Sequence, residues 1–351
     1  MQKNKDIITP ELIEGLITEN GSLFIPDSIL KAIGKCLVST PQKIEEEGIV
    51  LKNLYQEYER NRKSEPAKID YSDEITLDAY TVYYMPRSTL IPKVAIDLLS
   101  YCEGFQKIPQ KLRILDLGSG TGGVVVGLLD LFNNDALSDI FLEIVAIDLS
   151  KAALGRQKEI IKHIGRSNSV LRYHSADLSA LESCEEVLQH YAPYDLIFSG
   201  SLLTELDPTS VDALIKKLPT MLNGMGVVVI AEAPRDYVIK QIVRISNMAR
   251  ALDLHVYYPC PPKLECPKVA GKGCWVWRRD EFVCPEIDVK DECLQPTTIF
   301  PASWIILSTR PYSIYDGLQS QYPNLNIGSI SAGQKNSRGR RIQTKPGGVH
   351  L

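Results

Sequence analysis

Long apolar runs are missing from this 351-residue chain. None approaches the roughly 20 apolar residues that a membrane-spanning helix needs, so no membrane partner is expected. The opening residues, MQKNKDIITPELIEG, lack the apolar core of a secretory signal. They also lack the Arg-rich, acid-poor character of a transit peptide, and a cytoplasmic protein is expected. Excess positive charge is missing too. Lys and Arg number 39 against 43 Asp and Glu, a net charge of −4. That excludes a nucleic-acid binder built on global charge and leaves only local contacts. Closely spaced cysteine pairs are absent as well. No two of the eight cysteines stand at the short separation usual in zinc ribbons and fingers. Hydrophobic residues make up 44% and charged residues 23%, enough for a large core and two or three units.

What is present begins at residues 111–131, KLRILDLGSGTGGVVVGLLDL. An apolar run leads into Asp116, then Gly118, Ser119, Gly120 and Gly122, then a second apolar run of helical character. The pattern reads as strand, glycine turn and helix. Glycine lets the backbone turn sharply and approach a ligand closely. The helix that follows aims its free amides at whatever occupies the turn. Gly118, Gly120 and Gly123 also satisfy a dinucleotide fingerprint, but alone that match is weak. Asp116 separates the two readings, because an acid before the first glycine suits an ammonium group and not a pyrophosphate. Asp148 follows Gly118 by 30 residues, beyond the roughly 20 of the dinucleotide pattern. The segment resembles the first motif of Rossmann-like methyltransferases that bind S-adenosylmethionine. The resemblance implies that Asp116 meets the methionine amino group, Asp148 the ribose hydroxyls and Asp177 the adenine amino group.

Strands are expected at 113–117, 143–147, 170–174, 195–199, 226–231, 254–258 and 303–309, with helices at 151–164, 210–222 and 235–252. This alternation argues for an α/β fold, a mostly parallel seven-stranded sheet of the Rossmann-like methyltransferase kind. Residues 1–110 read as a helical N-terminal region, with Pro10, Pro26 and Pro41 opening helices. Pro86 and Pro92 interrupt a helical pattern over 74–101. The aromatic run from Tyr80 to Tyr84 reads either as core packing or as a lid over the cleft. The methyltransferase-like domain is expected over 111–310, including a Cys-rich insert at 259–294 between the last two strands. A flexible tail is expected over 317–351. It carries Lys335, Arg338, Arg340, Arg341 and Lys345 with no acid among them.

Five cysteines crowd the insert: Cys260, Cys266, Cys274, Cys284 and Cys293. In a cytosolic chain such a cluster points to metal more than to disulfides. Proline follows Cys260, Cys266 and Cys284, a feature that recurs around iron–sulfur ligands. From spacing alone an iron–sulfur cluster, zinc and free thiols all remain open. Residues 260–279 carry a net +4 and residues 280–293 a net −5. The basic, Trp-containing half suits RNA, or the two halves neutralise each other.

Tyr83-Tyr84-Met85-Pro86-Arg87, Ser201-Leu-Leu-Thr-Glu205 and Cys260-Pro…Cys266-Pro…Cys274-Trp275 together resemble the methyltransferase-like assembly factors of the small ribosomal subunit. That family occurs on mitochondrial ribosomes and has prokaryotic relatives. The resemblance covers about residues 75–310. It implies S-adenosylmethionine, a four-iron four-sulfur cluster on Cys260, Cys266, Cys274 and Cys284, and the small subunit or its ribosomal RNA as partner of a monomeric chain. The family often has histidine where Pro262 stands. Its fourth ligand usually lies beyond the last strand, where this chain has no cysteine, so Cys284 or Cys293 substitutes. Catalytic residues are not evident. Neither an Asn/Asp-Pro-Pro-aromatic motif nor a cysteine nucleophile follows the fourth strand. Glu205 reads as a base or as an ordinary acid starting a helix. An active methyltransferase on RNA or a small molecule, with a structural zinc or iron–sulfur insert, is the alternative.

Overall fold

The computed structural model describes residues 8–19, 22–61, 69–107, 109–165, 168–203, 205–233, 236–259, 282–283 and 302–323. Helix α1 (Pro10–Ile17) starts at a proline, and Thr9 caps it by accepting the Leu12 amide at 3.2 Å. A short hairpin follows, β1 (Thr18–Glu19) and β2 (Ser22–Phe24), an element absent from the helical expectation for this region. Then come α2 (Asp27–Gly34), α3 (Pro41–Asn61), α4 (Glu74–Tyr83), α5 (Met85–Ser88), α6 (Leu90–Ser100) and α7 (Glu103–Gln106). Pro86 and Pro92 fall in the first turns of α5 and α6, where a missing amide breaks no helical bond. The interruption therefore falls before each proline.

The remainder alternates: β3 (Lys111–Leu117), α8 (Gly123–Phe132), β4 (Phe141–Asp148), α9 (Lys151–Ile164), β5 (Ser169–Ser175), α10 (Leu181–His190) and β6 (Tyr194–Gly200). It continues with α11 (Pro208–Met221), β7 (Leu222–Glu232), α12 (Asp236–Ala251), β8 (His255–Tyr258), β9 (Phe282–Val283), β10 (Ser303–Ser308) and α13 (Ile314–Gln321). Seven strands form one sheet in the order β5-β4-β3-β6-β7-β10-β8. β10 runs antiparallel to both neighbours. All seven expected strands are present. Helix α13 runs past residue 317 into the stretch expected as a flexible tail, and residues 324–351 lie outside the described residues.

Alternation along each strand covers both faces of the sheet. Ile114, Ile144, Leu196 and Val229 join one core with α1, α2, α4, α6 and α8. Leu115, Val145, Ile197 and Val228 join a second core with α10, α11 and α12. The N-terminal helices thus bury the face that a bare sheet would leave wet. Helix α6 is buried at every position, Lys93 included, and Lys93 Nζ meets Asp130 Oδ2 at 2.6 Å. The insert also touches this region, because β9 pairs in parallel with β2 through Leu23–Phe282 and Phe24–Val283. No described helix is long and apolar enough to cross a membrane.

One ion pair ties the two parts. Asp78 of α4 is fully buried and bonds the Arg156 guanidinium of α9. Its other oxygen accepts the amides of Val38 at 3.0 Å and Ser39 at 2.7 Å. Arg156→Met removes the cation and strands a buried carboxylate. The unfolding free energy is expected to fall by about 3 kcal/mol, read as a lower urea midpoint at unchanged slope. A loss below about 1 kcal/mol would show that the amides alone satisfy Asp78.

Candidate cofactor-binding site

The cleft lies at the carboxyl ends of β3, β4 and β6, where the sheet order reverses on either side of β3. The glycine turn builds its floor. Gly122 has φ 93° and caps α8, and a Cβ there would meet Gln157 Cγ at 2.4 Å. Gly120 has φ 52°, yet a Cβ there would meet nothing within 4 Å. The space over Gly120 is therefore free for a ligand. The turn is pinned from below. Ser119 N donates to Ile147 O at 2.9 Å and Gly120 N to Asp148 Oδ2 at 2.7 Å.

Asp116 is 1% exposed at the end of β3. Its Oδ2 accepts the Ser119 hydroxyl at 2.6 Å, while Oδ1 has no partner among the described residues. Burial pushes the carboxyl up to about 7. The Ser119 bond opposes this, and the charge of Asp148 adds to it. Gln157 stands behind the pair, with Oε1 3.1 Å from Ser119 Oγ and Nε2 without a described partner. One hydroxyl proton cannot serve both acceptors. Turning the Gln157 amide over lets Nε2 donate to Ser119 Oγ, which then donates to Asp116. Asp116 Oδ1 is still left facing no cation.

Asp148 is half-buried. Burial raises its pKa, and the Ser150 and Gly120 amides pull it back. Each of its oxygens accepts one amide and keeps a lone pair for a hydroxyl donor. Asp177 lies just past β5, where its Oδ1 accepts the amide and hydroxyl of Ser179. Gly118, Ser119, Gly120, Gly122, Asp116 and Asp148 are brought together, while no described bond joins Asp177 to them.

Two groups were only half legible. Glu205 is not at a helix start, because α11 begins at Pro208 under an Asp207 cap that accepts the Thr209 and Ser210 amides. It stands in the loop after β6. That loop is held by Ser201 N on Ala231 O at 2.9 Å and by Leu203 N on Glu232 Oε1 at 2.7 Å. Ser201 itself takes φ 61°, an uncommon conformation without glycine. The Glu205 side chain meets solvent in the open cleft. The protein walls around it, with Asp148, still raise its carboxyl to about 7. Tyr80 is held well above the usual phenol range by burial and by the charges of Glu205 and Asp148. It stacks on Tyr84 at 5.1 Å and meets the Tyr71 edge at 4.9 Å. The aromatic run thus divides, with Tyr83 in the core and Tyr80 beside the acids.

Cys260, Cys266, Cys274, Cys284 and Cys293 lie outside the described residues. Among the described residues no group of three or more His, Cys, Asp or Glu could hold a metal ion.

Strand order, glycine turn and acids at successive strand ends define a Rossmann-like methyltransferase fold. Similar solved structures include a TehB-like SAM-dependent methyltransferase from Corynebacterium glutamicum. It is 20% identical, covers 42% of this chain and 68% of that one, and has a TM-score of 0.31. Magnesium protoporphyrin IX methyltransferase from Synechocystis PCC 6803 is 9% identical over 75% and 97% of the two chains, with a TM-score of 0.37. An rRNA methylase from Streptococcus thermophilus is 14% identical over 57% and 88%, with a TM-score of 0.33. No curated protein matches the chain. The family described as mitochondrial small ribosomal subunit Rsm22 matches residues 76–290, well over half of the length. The chain belongs to that family.

A pH test follows from Asp116. Its folded value of about 7 exceeds the ordinary 3.8. Below pH 3.8 the group costs folding nothing. The cost grows as pH rises towards 7 and is full above it, an upper figure of about 4 kcal/mol. Asp116→Asn keeps the Ser119 bond and is expected to stabilise the unliganded protein at pH 8 but not at pH 4. Urea midpoints at both values check this, and equal midpoints at pH 8 would mean that Asp116 already has a cation.

Proposed function

We propose that the cleft binds S-adenosylmethionine and that the chain acts in assembly of the small ribosomal subunit. The observation that carries the first half is Asp116 Oδ1, a buried acid oxygen with no described partner beside an open glycine turn. The amino group of the cofactor supplies the missing cation there. Asp148 holds the ribose hydroxyls, and Asp177 the adenine amino group. The family, whose description names the mitochondrial small ribosomal subunit, supports the second half.

The insert completes this reading. Cys260, Cys266, Cys274 and Cys284 supply four soft thiolates, a donor set that fits a four-iron four-sulfur cluster and equally fits zinc. Such a site staples a long connection that has little apolar content of its own.

A second reading, active methyl transfer, draws on Glu205. A carboxyl raised to about 7 is matched to proton abstraction at neutral pH. When bound, the cofactor supplies an electrophilic methyl group. Glu205 would take the proton that the acceptor oxygen or nitrogen gives up as the methyl arrives.

Calorimetry tests the cleft. Asp116→Asn is expected to weaken S-adenosylmethionine binding by about 30-fold or more, the scale of a charge-assisted contact. Asp148→Ala is expected to weaken it without unfolding the protein. Unchanged affinity in both would remove these acids from the pocket. Protein purified without oxygen is expected to be brown, with iron and labile sulfide in equal amounts. A colourless protein holding zinc would replace the cluster. Labelled methyl transfer to small-subunit RNA that Glu205→Gln abolishes would favour the enzyme. Co-sedimentation with immature small subunits and no transfer would favour the assembly factor.

A further inference from the structure

The overall charge is negative, yet one edge of the sheet is not. Among the described residues β5 is the terminal strand and pairs only with β4. On one face Glu143 collects three cations: Lys111 Nζ at 2.7 Å, Arg113 Nε at 3.4 Å and Arg172 at 3.3 Å. Glu143 itself is 16% exposed, whereas the three cations keep 41 to 46% of their side chains in solvent. The neighbouring acid, Asp195, is engaged by the Arg113 amide and by Asn223. Three cations on one face of β3 and β5 thus share the single carboxylate of Glu143 on β4.

Aromatic rings alternate with these charges. The Arg172 guanidinium lies 5.2 Å from the Tyr191 ring centre, and Tyr191 also meets His174 at 5.5 Å and His190 at 4.5 Å. Arg172 Nε is buried without a described partner, so only its outer nitrogens can reach a ligand. On the opposite face Lys158 stands 4.7 Å over Tyr173. Successive residues of β5 thus present a cation on a ring to each side. Stacking holds a guanidinium flat and leaves its outer nitrogens free to donate. Cations braced on rings and kept 41 to 46% exposed around Glu143 match a flexible, phosphate-bearing strand.

We propose that the β5 edge is an RNA-binding surface for a single-stranded segment. Arg172, Lys111, Arg113 and Lys158 contact phosphates, and Tyr191 and Tyr173 hold Arg172 and Lys158 in place from beneath. This deepens the small-subunit reading and rests on it. The surface is separate from the cofactor cleft, so cofactor affinity serves as an internal control.

Fluorescence anisotropy of the full chain with a labelled single-stranded RNA of about 20 nucleotides is the test. The double substitution Arg172→Gln with Lys158→Gln removes two phosphate contacts. It is expected to weaken binding about tenfold near 0.1 M salt and to reduce the salt slope by about 1.4. Glu143→Gln removes the competing carboxylate without deleting any cation. It is expected to tighten binding about threefold, an outcome that misfolding could not produce. S-adenosylmethionine affinity is expected to stay unchanged in both. RNA binding that ignores both changes, or that vanishes only when residues 324–351 are deleted, overturns the proposal. So does protection of the β5 amides from hydrogen exchange by ribosomal proteins without RNA, which would make the edge a protein-docking strand. Co-sedimentation with small subunits that survives these variants would sink this surface alone, whereas its absence in the unaltered protein would sink the wider reading.

Discussion

The ion pair between Asp78 and Arg156 is the contact on which the rest of the arrangement depends. Asp78 is two residues from Tyr80 on α4, and Arg156 is one residue from Gln157 on α9. The pair therefore ties the helix that carries Tyr80 to the helix that carries Gln157. A buried pair stabilises a fold only when every remaining lone pair is satisfied. The amides of Val38 and Ser39 meet that condition for Asp78. They come from the stretch between α2 and α3, so the N-terminal helices take part in shaping the cleft.

Against that satisfied carboxylate stands an unsatisfied one. Asp116 is as deeply buried as Asp78 but has only a serine hydroxyl for company. Asp148 raises the pKa of both Asp116 and Glu205, so acids accumulate at the mouth of the sheet without a described base among them. Such an arrangement opposes folding and favours a cationic ligand. Strain of the same kind is held in the backbone at Ser201, where β6 gives way to the loop carrying Glu205.

The strands were readable because each is a short apolar run bounded by turn residues, and burial on two faces leaves little else they can be. The glycine turn was readable because Gly118, Gly120 and Gly122 take φ 68°, 52° and 93° within five residues, and glycine does so at the least cost. Helix α11 was expected from residue 210 and starts at Pro208, because Asp207 supplies its cap. Glu205 reads as a helix-start acid only from the spacing of Leu202, Leu203 and Leu206, which pack instead as a loop folded onto the second core. The β1–β2 hairpin was invisible because Thr18–Glu19 and Ser22–Phe24 are too short to show a period. Their partner, β9, lies some 260 residues further along the chain.

The sequence by itself determined the sheet, the glycine turn and the acids that end successive strands. Those features rest on local stereochemistry and on the two-residue alternation of side chains. Only the tertiary structure decided that Tyr80 and Glu205 feel the charge of Asp148, that Asp78 and Arg156 join the two halves, and that Arg172 lies on Tyr191. Each of these pairs joins residues distant in the chain or carried on separate elements, where no periodicity reaches. Their meeting is set by which faces of the sheet must be hidden from water.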